Sequence, residues 1–222
     1  MIIPDSILKN KLKNVYFIWG SGKTTIANQL KEKYGFYVYS TDESRDRQFD
    51  LANPVDQPYM CRDFENEYGV KSFWELPQEV IAEREKHVVS EMTPMMIAEL
   101  IELSSLYDVI ICEGDIDYYA IAPIATHRVH LCNQSKSFDW FKRPDHEDIH
   151  DIVGNRTDLS ETEKQYIIDN AYNAVSQGRG IIPDWVNELG IKNITWDDNT
   201  SIETTAVEVA SYFGFAEVHN DC

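Results

Sequence analysis

Residues 20–25 carry the clearest chemical signal in the sequence, a short run of glycine, serine, lysine and threonine. The glycines allow backbone N–H groups to converge on phosphate oxygens, and a following helix points the positive end of its dipole at the same anion. The lysine can reach the β- and γ-phosphates, and the next hydroxyl can enter the coordination shell of Mg²⁺. The segment therefore predicts a phosphate-binding loop. Its residues are Gly20, Ser21, Gly22, Lys23, Thr24 and Thr25.

The usual pattern of such a loop, G-x-x-x-x-G-K-[ST], is broken at its first position, which is Phe17. Glycine there relieves crowding where the strand turns into the loop, so this chain must turn by another route. The flanking segments still favour a phosphate loop, because an apolar run precedes it and a helical pattern follows it. We expect the backbone N–H groups of Ser21, Gly22 and Lys23 to hold phosphates. The alternative is an ordinary turn that leaves Lys23 in solvent.

Two acids and an arginine follow predicted strands. Because the carboxyl ends of parallel strands meet at one edge of a sheet, Asp42 and Glu113 are expected beside the phosphate loop. Asp42 could accept the proton of a hydroxyl that attacks a γ-phosphate, and Arg45 could hold an anionic group of the acceptor. The alternative roles are a helix N-cap for Asp42 and a surface position for Arg45.

Glu113 is the predicted magnesium-ordering residue. Four apolar residues followed by an acid are typical of the strand that carries this carboxylate, and Gly114 lets the backbone turn away after it. Asp115 is the second candidate for the same role. The alternative is a solvated strand end.

The hydrophobic pattern predicts alternating strands and helices, which indicates a parallel sheet with helices on both faces. The predicted strands are 15–19, 36–40, 109–113, 128–132 and 191–196. The predicted helices are 24–34, 77–106, 117–125, 160–177 and 201–213. Pro94 should kink or split the longest helix, and Ser160 and Glu163 form a capping box. The aromatic, aperiodic segment at about 43–76 is interpreted as an acceptor-side insertion over the sheet.

Together, segment 20–25, the Asp42-x-x-Arg45 pattern and the Glu113-Gly114 pair resemble P-loop small-molecule kinases. This group includes shikimate, gluconate and nucleoside kinases, chloramphenicol phosphotransferase and polynucleotide kinase. The resemblance implies an α/β fold, the P-loop NTPase three-layer sandwich, as one domain over residues 1–222. It implies a five-stranded parallel sheet of order 2-3-1-4-5 and a lid at about 133–160. It also implies ATP and Mg²⁺ as cofactors and a small-molecule hydroxyl acceptor as partner.

Lids of this family usually supply arginines that neutralise charge on the transferring phosphoryl group. The resemblance makes Arg143 and Arg156 the candidates for contact with the nucleotide phosphates, and Lys136 and Lys142 could share the task. Solvated surface charge is the alternative for each of them.

Composition narrows the choice of partner and compartment. The 222 residues carry a formal net charge of −18, so the chain should repel polyanions, which argues against nucleic acid as a partner. Four dispersed cysteines without C-x-x-C spacing suit reduced thiols, with Cys112 and Cys132 buried in strands. No signal peptide or long apolar run is present, so we expect a cytoplasmic protein without a membrane segment.

Residues 146–150 match H-E-x-x-H, the pattern of a zinc hydrolase helix. The match lies in the predicted lid, follows Pro144 closely and lacks the apolar flanks of a buried metal helix. A solvated acidic helix is therefore favoured over zinc chemistry.

The favoured hypothesis is an ATP- and Mg-dependent kinase that transfers the γ-phosphate to a hydroxyl of a small metabolite, such as a nucleoside or sugar acid. One alternative is a nucleotide-binding regulatory or switch NTPase, which the missing first glycine favours. Another is a nucleotide or polynucleotide 5′-hydroxyl kinase, which Asp42-x-x-Arg45 favours and the net charge opposes for a long polymer. The sequence leaves the acceptor, the choice of ATP or GTP and the oligomeric state open.

Overall fold

The computed structural model describes residues 4–70, 73–135, 149–176 and 180–215, and these build one five-stranded sheet. All neighbouring strands pair in parallel, in the order β2-β3-β1-β4-β5. The predicted fold class, a P-loop NTPase-like α/β sandwich of this strand order, is therefore confirmed. The strands are β1 (Val15–Gly20), β2 (Tyr37–Ser40), β3 (Ile110–Glu113), β4 (His127–Asn133) and β5 (Lys192–Trp196).

Helices cover both faces of the sheet. The helices are α1 (Asp5–Lys11), α2 (Lys23–Tyr34), α3 (Thr41–Leu51), α4 (Phe64–Tyr68), α5 (Gln78–Leu103), α6 (Tyr118–Ile121), α7 (Ile149–Gly154), α8 (Glu161–Ser176), α9 (Asp184–Glu188) and α10 (Ile202–Tyr212), with one 3₁₀ turn at Phe73–Glu75. Every helix in the described part of the chain is too short or too polar to span a bilayer.

Side chains of β1 alternate between two hydrophobic cores, as the period of a strand requires. Phe17 and Trp19 pack into the core that contains residues of α5, α6 and α9. Ile18 points to the opposite core, which contains residues of α2 and α10. Burial of Cys112 and Cys132 in β3 and β4 is confirmed.

Helix α3 occupies the start of the predicted insertion at 43–76, where the sequence pattern predicted no helix. Its buried residues are Thr41, Ser44 and Gln48. Since all three are polar, no apolar periodicity marks the helix in the sequence.

The long helix α5 continues through Pro94, so the predicted split is not present. Proline removes one backbone hydrogen bond, but buried apolar residues on both sides of it, including Met92 and Met96, hold the helix against the sheet. The predicted capping box of α8 is confirmed, because the Ser160 N–H donates to Glu163 Oε2 over 2.8 Å and the Glu163 N–H donates to Ser160 Oγ over 3.3 Å.

Gly114 controls how β3 ends. Its φ angle is +123°, and a Cβ atom there would lie 1.8 Å from Thr41 Oγ1. That hydroxyl accepts the Asp115 N–H over 2.7 Å and thereby joins the first turn of α3 to the end of β3. The close approach explains why the chain needs glycine directly after Glu113.

Gly114→Ala should lower the free energy of unfolding by about 3 kcal/mol, because backbone strain and overpacking add at this position. Gly35→Ala is the matched control: Gly35 also has a positive φ, +72°, but a Cβ atom there meets nothing within 4 Å. Strain alone should cost the control about 1–2 kcal/mol. Urea unfolding of both variants measures the difference, and equal losses would contradict the steric argument.

Candidate functional site

The phosphate-loop segment turns later than its usual pattern does. β1 continues past Phe17 as far as Gly20, which pairs with Leu131 of β4. The turn comes at Gly20 and Gly22, both with φ of +91°, and α2 begins directly afterwards at Lys23. Phe17 therefore needs no special backbone conformation, since it is an ordinary buried strand residue.

Because the turn comes late, one of the backbone N–H groups that were expected to bind phosphate is bonded within the protein instead. The Ser21 N–H donates to the Leu131 carbonyl over 3.0 Å, so in this structure it is not free for a phosphate, contrary to the expectation. The first intrahelical bond of α2 runs from the Ile26 N–H to the Gly22 carbonyl. The N–H groups of residues 23–25 lie in the first turn, where a helix has no internal acceptors and favours anions.

Trp196, at the end of β5, supports this turn. Its indole N–H donates to the Ser21 carbonyl over 3.0 Å, and a Cβ atom on Gly22 would lie 2.8 Å from its ring. Sequence reasoning assigned no role to Trp196. The available signal was a tryptophan at the carboxyl end of a strand, on the edge where ligands collect.

Glu113 lies directly beside the start of α2. Its side chain is buried, and its Oε2 accepts a hydrogen bond from Thr24 Oγ1 over 3.0 Å. Its Oε1 is buried without a hydrogen-bond partner among the described residues. Burial raises the pKa of Glu113, whereas the Ser40 hydroxyl, the Lys23 charge and the Thr24 hydroxyl act in the opposite direction. The hydroxyl oxygen of Thr24 and the carboxylate of Glu113 therefore lie at one point, and Oε1 of this carboxylate has no partner among the described residues. Oxygen ligands of this kind fit Mg²⁺.

The other two acids lie nearer the surface. Asp115 Oδ1 is 3.9 Å from Lys23 Nζ, and its side chain is 70% exposed. Asp42 is exposed at the second position of α3, and Ser40 rather than Asp42 is the N-cap residue. The charge of Asp42 contributes to the raised pKa of Glu113, after burial as the main cause, so the two carboxylates interact.

Arg45 contacts a protein carboxylate rather than open solvent. Its Nη2 lies 3.0 and 2.8 Å from the two carboxylate oxygens of Glu85 on α5. Arg84 donates to the same carboxylate over 2.6 Å. Glu85 thus neutralises much of the positive charge that Arg45 was expected to offer an acceptor.

Arg156 also belongs to an ion-pair cluster. Its guanidinium donates to both carboxylate oxygens of Asp158 and, over 2.9 Å, to Glu75 Oε1. These hydrogen bonds raise its pKa, Asp158 contributing most. The structure therefore gives Arg156 a role in joining the segment after α7 to the 3₁₀ turn. Its contact with a nucleotide stays a prediction.

Several predicted residues lie outside the described ranges. These are Arg143, Lys136, Lys142 and the first three residues of the H-E-x-x-H match. His150, the last residue of that match, is exposed in α7. Over the ranges that the structure describes, no group of three His, Cys, Asp or Glu side chains could hold a metal ion.

A cavity of about 630 Å³ opens next to the phosphate loop. Its wall includes Trp19 and Gly20 from β1, Asp115 after β3, His130 from β4 and Trp185 from α9. The cavity therefore borders the carboxyl ends of three adjacent strands, where α/β proteins bind ligands. Sequence reasoning identified Asp115 in this group and missed His130, because a histidine inside a strand carries no positional signal.

Comparison with known proteins adds little to these observations. No protein-family model matches the chain, and no curated protein matches it. Among solved structures, the chain is similar to the dephospho-CoA kinase from Campylobacter jejuni, with a TM-score of 0.41 and 14% identity. The alignment covers 90% of this chain and 96% of that one. A likeness at this level says nothing about activity.

The buried carboxyl of Glu113 predicts a pH-dependent effect on stability. Because burial raises its pKa, ionisation costs the folded state more than the unfolded chain, and this cost grows as pH rises above the ordinary value of 4.5. Glu113→Gln should therefore raise the free energy of unfolding at pH 7 by about 1–3 kcal/mol. The gain should vanish below pH 4.5, where the carboxyl is protonated in both states.

Urea unfolding at pH 7 and pH 4 measures this effect. The exposed Glu208→Gln is the control and should change stability by less than about 0.5 kcal/mol at either pH. A Glu113→Gln protein that is less stable than the parent at pH 7 would show that the ionised carboxylate stabilises the fold.

Proposed function

We propose that this protein is an ATP- and Mg²⁺-dependent kinase that transfers the γ-phosphate to a hydroxyl of a small metabolite. The observation that carries the proposal is the Thr24–Glu113 hydrogen bond directly beside Lys23 at the start of α2. A hydroxyl, a buried carboxylate and a lysine at one helix N-terminus are the groups that phosphoryl transfer requires.

Each of these groups has a role in the proposal. The backbone N–H groups of residues 23–25 hold the phosphates, and Lys23 stabilises negative charge on the γ-phosphate and the bridging oxygen. Thr24 and Glu113 would hold Mg²⁺, which when bound neutralises charge on the β- and γ-phosphate oxygens. Because Glu113 is buried, little water competes for its oxygens.

The acceptor side of the proposal uses the cavity next to Gly20. Asp115 borders this cavity and lies 3.9 Å from Lys23, which connects the acceptor space with the phosphate-binding groups. Asp42, exposed at the start of α3, orients or deprotonates the acceptor. Arg45 does not contribute to acceptor binding while it is paired with Glu85.

A nucleotide-binding switch is the second candidate function. The late turn favours it, because the Ser21 N–H is bonded to Leu131 and the phosphate loop is short. ATP consumption measured across a library of small alcohols separates the two functions. Acceptor-dependent turnover supports the kinase, whereas negligible turnover with every alcohol supports the switch.

Lys23→Ala tests the kinase directly. Loss of a charge-stabilising group should lower kcat for ATP consumption by roughly 10²–10⁴-fold. Lys31→Ala, at the exposed far end of the same helix, is the matched control and should leave kcat unchanged. A Lys23→Ala protein with full turnover would overturn the proposed function.

A further inference from the structure

The cavity next to the phosphate loop has an aromatic wall. The rings of Tyr118 and Trp185 stack with centroids 4.0 Å apart, and Trp19 meets Trp185 edge-on at 6.1 Å. All three residues line the cavity. Aromatic side chains favour contact with a flat ring, either stacked or edge-on, and a volume of about 630 Å³ is within the range for small-molecule ligands.

His130 presents a hydrogen-bond acceptor at this cavity. The Asn193 Nδ2 group donates to Thr195 Oγ1 over 3.0 Å, so its Oδ1 faces His130 Nδ1 at 2.8 Å and accepts the proton there. The proton on Nδ1 leaves a lone pair on Nε2. A Cβ atom on Gly20 would lie 3.0 Å from Nε2, so the ring points at the base of the phosphate loop.

The imidazole is neutral near pH 7 and available as an acceptor. Burial lowers the pKa of His130, and the hydrogen bond with Asn193 offsets this only in part. Among the described residues, Nε2 has no hydrogen-bond partner, although the side chain is only 5% exposed. A ligand in the cavity would supply the missing donor.

The charges around the cavity exclude one class of ligand. Its ionisable lining residues, besides His130 and two tyrosines, are Glu85, Lys86, Asp115 and Asp117. Two arginines beside the cavity, Arg45 and Arg84, are both paired with Glu85, so the three charges largely cancel and the arginines are not directed at the ligand. The remaining charged residues of the wall are Asp115, Asp117 and Lys86, and this excess of acid disfavours an acceptor that carries phosphate or carboxylate.

We propose that the cavity binds an alcohol with a flat ring and no anionic group, and that His130 Nε2 accepts the proton of its hydroxyl. The inference rests on the proposed function, and it assigns deprotonation to His130, which leaves Asp42 to orient the acceptor. As the O–H bond breaks, the proton moves to Nε2 and the oxygen forms a bond to the γ-phosphorus. The bond from that phosphorus to the β–γ bridging oxygen breaks, its electron pair leaves with ADP, and the imidazolium releases its proton to water.

The test measures binding to the full chain without nucleotide, so that it does not depend on phosphoryl transfer. Two matched probe sets are adenosine with 5′-deoxyadenosine and 3′-AMP, and benzyl alcohol with toluene and 4-(hydroxymethyl)benzoate. In each set the second probe lacks the primary hydroxyl, and the third keeps it and adds an anionic group. Nitrogen-15 NMR of the labelled histidines reports the protonation and hydrogen bonding of Nε2 directly.

At least one neutral alcohol should bind and shift the His130 Nε2 signal. Its partner without the hydroxyl and its anionic partner should each bind at least about tenfold more weakly. Asp115→Asn should reduce the discrimination against the anionic probe, because it removes one negative charge from the wall. Equal or tighter binding of the anionic probes, or no binding by either set, would overturn the substrate class.

Variants of β4 and β5 test the role of the imidazole. His130→Gln should lower turnover of the bound alcohol by roughly 10²–10⁴-fold and remove the acidic limb of its pH profile. Asn193→Asp, which keeps an acceptor for Nδ1, should retain turnover and move that limb to higher pH. His127→Gln, whose ring stacks on Tyr16 with centroids 4.2 Å apart, is the control and should change neither. Full turnover by His130→Gln would overturn the proton transfer.

The binding experiments distinguish an error in this inference from an error in the proposed kinase function. If Mg-ATP binds and depends on Lys23 but no ring alcohol binds, only the inference is wrong. If a ring alcohol binds and shifts His130 but Mg-ATP does not bind, the proposed function and the proton transfer are wrong and only the ligand site stands.

Discussion

The hydrogen bond between Thr24 and Glu113 joins two segments that are 89 residues apart in the chain, and the candidate site depends on it. Glu113 can reach Thr24 because β1 and β3 pair in parallel, with Ile18 opposite Glu113. This register brings the end of β3 to the level of the turn before α2. A shift by one residue would turn Glu113 towards the opposite face of the sheet.

Burial of the Thr24–Glu113 pair has a cost in folding stability as well as a use in the candidate site. A carboxylate without water favours its protonated form, which is why the pKa of Glu113 is raised. Thr24 and Lys23 offset part of that cost, and a bound cation would offset more. An empty site of this kind is therefore less stable than an apolar one would be, which is the usual relation between function and stability in enzymes.

Two regions with different charge preferences lie side by side at this edge of the sheet. On one side, the start of α2 and Lys23 favour anions. On the other, Asp115, Asp117 and Glu85 line an aromatic cavity for which we propose an uncharged ligand. The two environments adjoin at Gly20, whose missing side chain permits both the tight turn and the close approach of His130. The proposed transfer of phosphate from ATP to an uncharged alcohol would use both environments.

The sequence by itself predicted the alternating strands and helices, the phosphate-loop segment and the two acids after β2 and β3, because strand periodicity, glycine and strand-end polarity are local signals. The strand order was implied by the resemblance to P-loop kinases, and the sheet confirms it. The sequence did not predict α3, because the buried face of this helix is polar, and the split that it allowed at Pro94 is absent, because α5 is continuous there. Only the tertiary structure decided that Arg45 faces Glu85, that Arg156 faces Asp158 and that His130 points at Gly20. These pairings join residues on different elements or depend on side-chain orientation, and such contacts follow from packing, which no spacing in the chain records.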